Sequence, residues 1–176
     1  DEGPYKAMPE KIPALKPAFK KDGTITAATS SSISDGAAAL VLSRESVAKE
    51  NGQTPVAKIV ALAAHAQEPS KFTVAPIGAI EKVLQNAGWS AEDVDLWEVN
   101  EAFACVAMFA MRDIGIPHDK INVNGGGTAL GHPIGASGTR IIVTLLNALR
   151  EQGKKRGIAS LCIGGGEATA VAVELV

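Results

Sequence analysis

Apolar runs and amphipathic stretches alternate along most of the chain. The apolar runs predict strands over residues 37–42, 56–64, 94–99, 121–123, 157–163 and 167–176. Helices are predicted over residues 44–51, 76–87, 101–113 and from about 138 to 150. Alternating strands and helices predict an α/β fold in which helices cover a mixed, mostly parallel five-stranded sheet. The last two strands add an antiparallel edge.

Several residues mark the predicted ends of these elements. Pro76 stands where a first-turn proline belongs, and Gly88 ends the same helix. Asn100 is predicted to be the N-cap of the helix that follows it. The three glycines at 164–166 predict a hairpin between the last two strands.

The first 23 residues differ from the rest because prolines and lysines are frequent there. Prolines at positions 4, 9, 13 and 17 exclude long regular structure, so an extended surface segment is predicted. This divides the chain into residues 1–23 and a domain over residues 24–176. The chain begins with Asp1 rather than Met, which favours origin from a longer protein.

Composition and charge narrow the possible classes of protein. The 176 residues carry 17 basic and 19 acidic side chains without a dense basic block, which argues against nucleic-acid binding. No apolar run approaches the roughly 18 residues of a membrane span, so no membrane association is expected. Two cysteines, Cys105 and Cys162, form no disulfide or metal-binding pattern, which favours a reducing compartment.

Three segments place reactive side chains at strand ends or among glycines, where ligands usually bind in α/β sheets. They are Asn100-Glu101-Ala102-Phe103, residues 131–138 and Cys162-Ile163-Gly164-Gly165-Gly166. His132 stands between Gly131 and Pro133, so its imidazole suits a general base or an oxyanion donor. A surface histidine that bonds a carbonyl is an equally open interpretation.

Cys162 ends an apolar strand just before three glycines. Its thiol can therefore meet a substrate while the following amides face a developing negative charge. The alternative is a small buried hydrophobic residue, the common fate of a free cysteine. The glycines at 125–127 lack the Gly-x-Gly-x-x-Gly order, and no Gly-Lys-Ser/Thr follows, which argues against a nucleotide site.

In this order, the three segments resemble the C-terminal signature of thiolases, also called acetyl-CoA acetyltransferases. Further similar segments cover nearly the whole chain: Lys16-Pro17-Ala18-Phe19, residues 22–27, Ser34-Asp35-Gly36-Ala37-Ala38 and Trp97-Glu98-Val99-Asn100. The resemblance implies the layered thiolase fold, of which this chain would form the C-terminal half. It also implies an acyltransferase that exchanges acyl groups between coenzyme A thioesters.

The implied reaction is a two-step ping-pong transfer. It joins two acetyl-CoA into acetoacetyl-CoA and CoA, or cleaves a 3-ketoacyl-CoA in reverse. The nucleophilic cysteine would come from an N-terminal half that this chain lacks. By motif, His132 would activate that cysteine and bind the thioester oxygen, with a water held by Asn100. Cys162 would take the α-proton of the second acetyl-CoA, and the N–H of Gly164 would face the acyl-enzyme carbonyl.

The resemblance also assigns substrate contacts. Ser31 matches a residue that contacts the pantetheine arm, Ala102 and Phe103 match residues beside the thioester, and Lys11 is expected near the nucleotide. Phe72 belongs to a segment similar to mitochondrial-type acetoacetyl-CoA thiolases, some of which bind potassium. A potassium site is therefore expected near Ala27, Ala28 and Ser30. The usual Gly-Asn-Ala-Ser-Gly is replaced here by residues 28–32, Ala-Thr-Ser-Ser-Ser, which alters the expected coenzyme A contacts.

The implied partners are the N-terminal half, acyl-CoA substrates and further copies in a homotetramer or dimer. No prosthetic group is expected, and the expected location is the cytoplasm or alternatively the mitochondrial matrix. Two other functions stay open. A decarboxylating condensing enzyme would usually have histidine where Cys162 stands. A non-catalytic binding module requires that no chain supplies the nucleophile.

Overall fold

The computed structural model describes residues 2–176 and shows a four-stranded mixed sheet. Its strands are β1 (Ala57–Ala66), β2 (Leu96–Val99), β3 (Arg156–Ile163) and β4 (Glu167–Leu175). The strand order is β1-β4-β3-β2, in which only β2 and β3 run parallel. The α/β architecture is confirmed, and so is the final hairpin. The prediction of five mostly parallel strands is wrong, because two of the three pairings are antiparallel.

Two predicted strands are absent from this sheet because their backbones lack strand partners. Residues 37–42 form no strand ladder with any part of residues 2–176, and Val41 is 96% exposed. Ile121 joins Trp97 through a single parallel bridge, and the ladder does not continue. A strand exists only where neighbouring backbone groups complete its hydrogen bonds, so an apolar run alone does not determine one.

Six α-helices connect and cover the strands. They are α1 (Glu2–Lys6), α2 (Glu45–Glu50), α3 (Ala75–Ala87), α4 (Ala104–Ile114), α5 (Gly127–Leu130) and α6 (Ile134–Glu151). The early proline-rich segment forms α1 and a 3-10 turn over Pro9–Ala14, both exposed, instead of one extended strip. Long regular structure is excluded there, as predicted, but short turns are not.

Local residues fix some helix ends, and tertiary contacts fix others. Gly88 ends α3 with a left-handed φ of 67°, as predicted, and Pro76 lies in the first turn of α3. The predicted N-cap role of Asn100 is wrong, because Phe103 precedes α4 directly and the helix begins three residues later than expected. α6 begins at Ile134, earlier than predicted, so Ser137 lies in its first turn.

The helices form layers on the two faces of the sheet. α3 and α4 pack on one face around Ile80, Trp97 and Ile158, whereas α6 packs on the other around Leu96 and Leu145. All four residues of β2 are buried, so this strand lies between both layers. The carboxyl end of β2, after Val99, is consequently held in place by packing on both faces of the sheet. No helix within residues 2–176 combines the length and apolar character needed to cross a membrane.

Candidate active site

Two side chains with reactive potential lie at one edge of the sheet. Asn100 directly follows β2, and Cys162 is the penultimate residue of β3. Because β2 and β3 are parallel, their carboxyl ends meet at this edge. The backbone N–H of Asn100 donates to the carbonyl of Ser160 at 2.9 Å, so the strand pairing continues to the residue that bears the amide.

His132 reaches the same region from the corner between α5 and α6. Gly131 ends α5 with a φ of 86°, and an added Cβ would lie 2.0 Å from Ser34 Oγ, so only glycine fits there. The backbone N–H of His132 donates to the carbonyl of Ser32 at 2.9 Å. Arg140 of α6 donates to the carbonyl of Gly131 at 2.8 Å. These contacts fix the backbone on both sides of the imidazole.

Hydrogen bonds determine which imidazole nitrogen holds the proton. Nδ1 of His132 lies 2.6 Å from Oγ of Ser137, whose own hydrogen is donated to the carbonyl of Pro133 at 3.0 Å. The serine oxygen therefore accepts from an Nδ1–H. Nε2 lies 3.4 Å from Nδ2 of Asn100, an amide nitrogen that can only donate. Nε2 thus keeps its lone pair and is the basic atom.

The electrostatic surroundings favour the neutral form of this imidazole. Burial lowers the pKa of His132, and the positive charge of Arg140 lowers it further. A neutral ring at pH 7 can accept a proton at Nε2 and then, as a cation, donate it to a developing oxyanion. Asn100 and His132 therefore form a pair suited to proton transfer and oxyanion stabilisation.

Cys162 lies in apolar surroundings. Its side chain is buried, with 9% exposed, and belongs to a hydrophobic cluster against which Ala102, Phe103 and Phe72 pack. Burial raises the pKa of the thiol above its ordinary value. The thiol is consequently protonated at neutral pH, and its thiolate is a strong base when formed.

The predicted substrate-contact residues Ser31, Ala102, Phe103 and Phe72 lie together. Both the backbone N–H and the hydroxyl of Ser31 donate to the carbonyl of Ala102, at 3.1 and 2.9 Å. The rings of Phe72 and Phe103 meet edge to face with centroids 6.1 Å apart. The segment around Ser31 is thus fastened to the loop that follows Asn100, beside the cluster that contains Cys162.

The turn between β3 and β4 leaves room in front of Gly164. An added Cβ at Gly164 would meet no atom within 4 Å, so the space beside this residue is open. Gly166 has the opposite environment, with a φ of 91° and a backbone oxygen of Gln67 2.4 Å from an added Cβ. The tight packing at Gly166 fixes the turn, while the position of Gly164 remains accessible.

Sequence reasoning missed a bracing network behind the site. The carboxylate of Glu101 accepts from Asn122 Nδ2 at 2.8 Å and from the backbone N–H and hydroxyl of Thr128, at 3.2 and 2.5 Å. Asn122, with a left-handed φ of 48°, also bonds both backbone groups of Val99 at the end of β2. This network ties the glycine-rich loop to the strand that leads to Asn100. The only sequence signal was the position of Glu101 inside the 100–103 segment.

Among the remaining predicted residues, Ser30 is linked to the segment after Asn100 by an antiparallel bridge with Phe103. Lys11 is exposed in the early 3-10 turn, where its backbone N–H donates to the carbonyl of Met8 at 2.9 Å, and its side chain forms no hydrogen bond or ion pair with residues 2–176. Ala27 and Ala28 lie in a 3-10 turn, and the Ser30 hydroxyl donates to the carbonyl of Thr26 at 2.8 Å. The roles assigned to these residues stay predictions.

A cavity of about 430 Å³ lies elsewhere, between α4 and residues 118–128. Met108, Met111 and His118 contribute to its lining, but neither His132 nor Cys162 does. The reactive groups instead face an open edge. The described residues therefore provide one side of a site rather than an enclosed pocket.

Two protein-family models together match almost the whole chain. The thiolase C-terminal domain model matches residues 53–175, and the thiolase N-terminal domain model matches residues 1–46. A probable acetyl-CoA acetyltransferase of Dictyostelium discoideum is 49% identical over 99% of this chain and 42% of its own length. This chain therefore spans less than half the length of that relative.

Solved structures agree with this assignment. An acetyl-CoA acetyltransferase from Bacillus anthracis superposes over the whole chain with a TM-score of 0.96 and 45% identity, across 45% of its own length. A thiolase from Ascaris suum, solved in complex with coenzyme A, gives a TM-score of 0.91 at 41% identity over 100% of this chain and 46% of that one. The expected layered fold is confirmed.

Proposed function

The chain belongs to the thiolase family, and we propose that it supplies the proton-transfer side of a thiolase active site. The proposed reaction is the reversible condensation of two acetyl-CoA into acetoacetyl-CoA and CoA, or thiolytic cleavage of a 3-ketoacyl-CoA. One observation supports it above the others. Nε2 of His132 keeps a lone pair, which faces Nδ2 of Asn100, at the sheet edge where Cys162 is the penultimate residue of β3.

In the first step, His132 takes the proton of a nucleophilic cysteine that this chain does not contain. The thiolate attacks the thioester carbonyl, a sulfur–carbon bond forms, and the bond to coenzyme A sulfur breaks. Nε2–H of the resulting imidazolium donates to the thioester oxygen, and Asn100 holds a water that donates to the same oxygen. The raised pKa of Cys162 supports its role as the acid that protonates the departing CoA thiolate.

In the second step, the thiolate left on Cys162 takes the α-proton of acetyl-CoA. Burial favours this transfer because it raises the basicity of the thiolate. The carbanion attacks the acyl-enzyme carbonyl, a carbon–carbon bond forms, and the sulfur–carbon bond to the enzyme's nucleophilic cysteine breaks. The imidazolium of His132 returns its proton to the departing thiolate. The backbone N–H of Gly164, next to open space, stabilises the oxyanion of this step.

The substrate-contact assignments follow the local geometry. Ser31 lies against Ala102 and therefore beside the pocket formed with Phe103 and Phe72, a suitable surface for the pantetheine arm and a small acyl group. Lys11 is exposed and can reach the nucleotide phosphates as a mobile cation. The coenzyme A complex of the Ascaris thiolase supports a coenzyme A thioester as the substrate class.

A potassium ion is a secondary proposal for the turn near Ala27, Ala28 and Ser30. The Thr26 carbonyl already accepts from Thr29 and Ser30, which leaves the hydroxyl lone pairs of Ser30 and the carbonyls of the turn as oxygen ligands. An alkali cation prefers such neutral oxygen atoms. Binding would show as a higher midpoint of thermal unfolding in potassium than in tetramethylammonium at equal ionic strength. Equal midpoints would exclude a specific site.

The proposed partner is the N-terminal thiolase half with the nucleophile. Segment 33–42 exposes Ile33, Val41 and Leu42 and lies outside the four-stranded sheet, with one parallel bridge between Ile33 and His132. Apolar side chains exposed in this way favour cover by another domain. Further copies in a tetramer or dimer, and a cytoplasmic or mitochondrial matrix location, complete the proposal. The free state of Cys105 and Cys162 is compatible with either compartment.

The proposed reaction is tested with the whole enzyme, which contains both this chain and the half that carries the nucleophilic cysteine. We expect it to cleave acetoacetyl-CoA in the presence of CoA, and the 176-residue chain alone to be inactive. Absence of cleavage by the complete enzyme, with its nucleophile intact, would overturn the proposal. It would favour the alternative of a non-catalytic binding module.

A further inference from the structure

Glu98 is a buried acidic side chain that the proposed mechanism does not use. It lies in β2, is 3% exposed, and is the only charged residue among the buried polar residues of the described chain. Its Oε1 has no hydrogen-bond partner within residues 2–176. An ionised carboxylate without a partner in such a place would carry a large desolvation cost.

The surroundings of Glu98 keep its carboxyl protonated. Burial, with a smaller contribution from Glu101, raises its pKa to about 8, and the charge of Arg140 only partly opposes this. Glu101 lies in the loop after β2, Arg140 lies in α6, and His132 of the site, whose lowered pKa keeps it neutral at pH 7, adds no charge. A neutral carboxyl has one O–H, and a buried O–H requires an acceptor.

Asn100 provides an acceptor in the right place. Its Oδ1 is buried and lacks a partner, although Nδ2 of the same amide contacts His132. Residues two apart on a strand project to the same face, so Glu98 and Asn100 are neighbours on the face that α6 covers. A carboxyl that needs an acceptor and an amide oxygen that needs a donor are thus two residues apart on one face of the sheet.

We propose that Glu98 is a positioning residue whose protonated carboxyl donates to Oδ1 of Asn100, directly or through one enclosed water. This inference rests on the proposed function of the site. The bond fixes which end of the amide is Nδ2 and holds that end toward Nε2 of His132. Ionisation of Glu98 removes the donor and places a negative charge beside the amide oxygen, so the orientation of Asn100 is lost at alkaline pH.

A double-mutant cycle in the whole enzyme tests whether Glu98 acts through Asn100. Glu98→Leu keeps the volume and removes the donor, and we expect kcat to fall on the order of 10- to 100-fold, as for small misplacements of a catalytic group. Glu98→Gln keeps an N–H donor and should restore most of that loss. Glu98→Leu added to Asn100→Ala should cause no further fall, because the residue it orients is gone.

The pH profile and an infrared measurement complete the test. The fall of kcat above about pH 8 in the parent enzyme should disappear in Glu98→Gln. Infrared difference spectra should show a protonated carboxyl band that Glu98→Gln removes and that shifts to higher frequency in Asn100→Ala. The spectra require no activity, so they test the inference even if the complete enzyme proves inactive. Additive losses in the cycle, no protonated band at pH 7, or a band unmoved by Asn100→Ala would overturn it.

Discussion

Replacing Ser137 by alanine removes the group that sets the tautomer of His132. The hydroxyl accepts the Nδ1–H at 2.6 Å and is itself held by the carbonyl of Pro133. Ser137 is fully buried, so solvent does not readily supply a substitute acceptor. In Ser137→Ala the ring keeps a buried N–H without a partner, or it turns and places the proton on Nε2. Either result weakens the base.

The expected magnitude follows from the cost of the lost bond. A buried donor left without its partner costs about 1–3 kcal/mol. At roughly 1.4 kcal/mol for each factor of ten, the population of the productive ring falls about 5- to 150-fold. Acylation of the nucleophilic cysteine should slow by the same factor. KM for the thioester should change little, because Ser137 has no direct substrate role in the proposed mechanism.

Rapid-quench acylation of the whole enzyme, followed by mass spectrometry, measures this step directly. Ser160→Ala is a matched control, since Ser160 is also fully buried and donates one hydrogen bond, to the carbonyl of Thr169 at 2.8 Å. Both variants should lose comparable stability, but only Ser137→Ala should acylate slowly. Wild-type acylation by Ser137→Ala would refute the tautomer argument, and so would an equal slowing in Ser160→Ala.

Four further outcomes are expected. Cys162→Ser should slow α-proton exchange of acetyl-CoA in deuterated water by about 100- to 10,000-fold while acyl-enzyme still forms; lost acylation with normal exchange would contradict this. Acylation should decline only below pH 6.5, because the pKa of His132 is lowered, and a decline centred above 6.5 in the pH profile would contradict it. The thermal stability of Glu98→Gln relative to the parent should increase as pH rises from 4.5 to about 8. Because the pKa of Glu98 is raised in the folded state, its contribution to stability is full below pH 4.5 and is lost as pH rises to about 8. The isolated chain should aggregate in size-exclusion chromatography because Val41 and Leu42 are exposed, and a monodisperse monomer would count against this.

Features that depend on neighbouring residues were predictable from the sequence. Gly88 ends α3 in the left-handed region that glycine prefers, and the three glycines at 164–166 join β3 to β4. Both signals come from backbone conformations that few other residues adopt. Strand pairing is different because it depends on distant residues. The apolar run 37–42 therefore looked like a strand although its backbone forms no ladder with residues 2–176.

The site shows the same division between local and distant causes. His132 and Cys162 were found because glycines around them mark close backbone approach, and the family resemblance gave them roles. Asn100 was misassigned as a cap because its amide bonds His132, 32 residues later. Ser137 was missed because α6 was expected to begin at about 138, so its position in the first turn, under the imidazole, was not foreseen.

The bonds that shape this half of the site are internal to the chain. Ser32 and Ser137 fix His132, Ser160 fixes the backbone of Asn100, and the Glu101 network fixes the loop between them. None of these contacts requires the missing nucleophile. In the proposed mechanism, His132 and Asn100 are therefore oriented by the folding of this chain, and the cost of arranging them is met then rather than during the reaction. What that mechanism still requires is one nucleophilic sulfur atom positioned near Nε2 of His132.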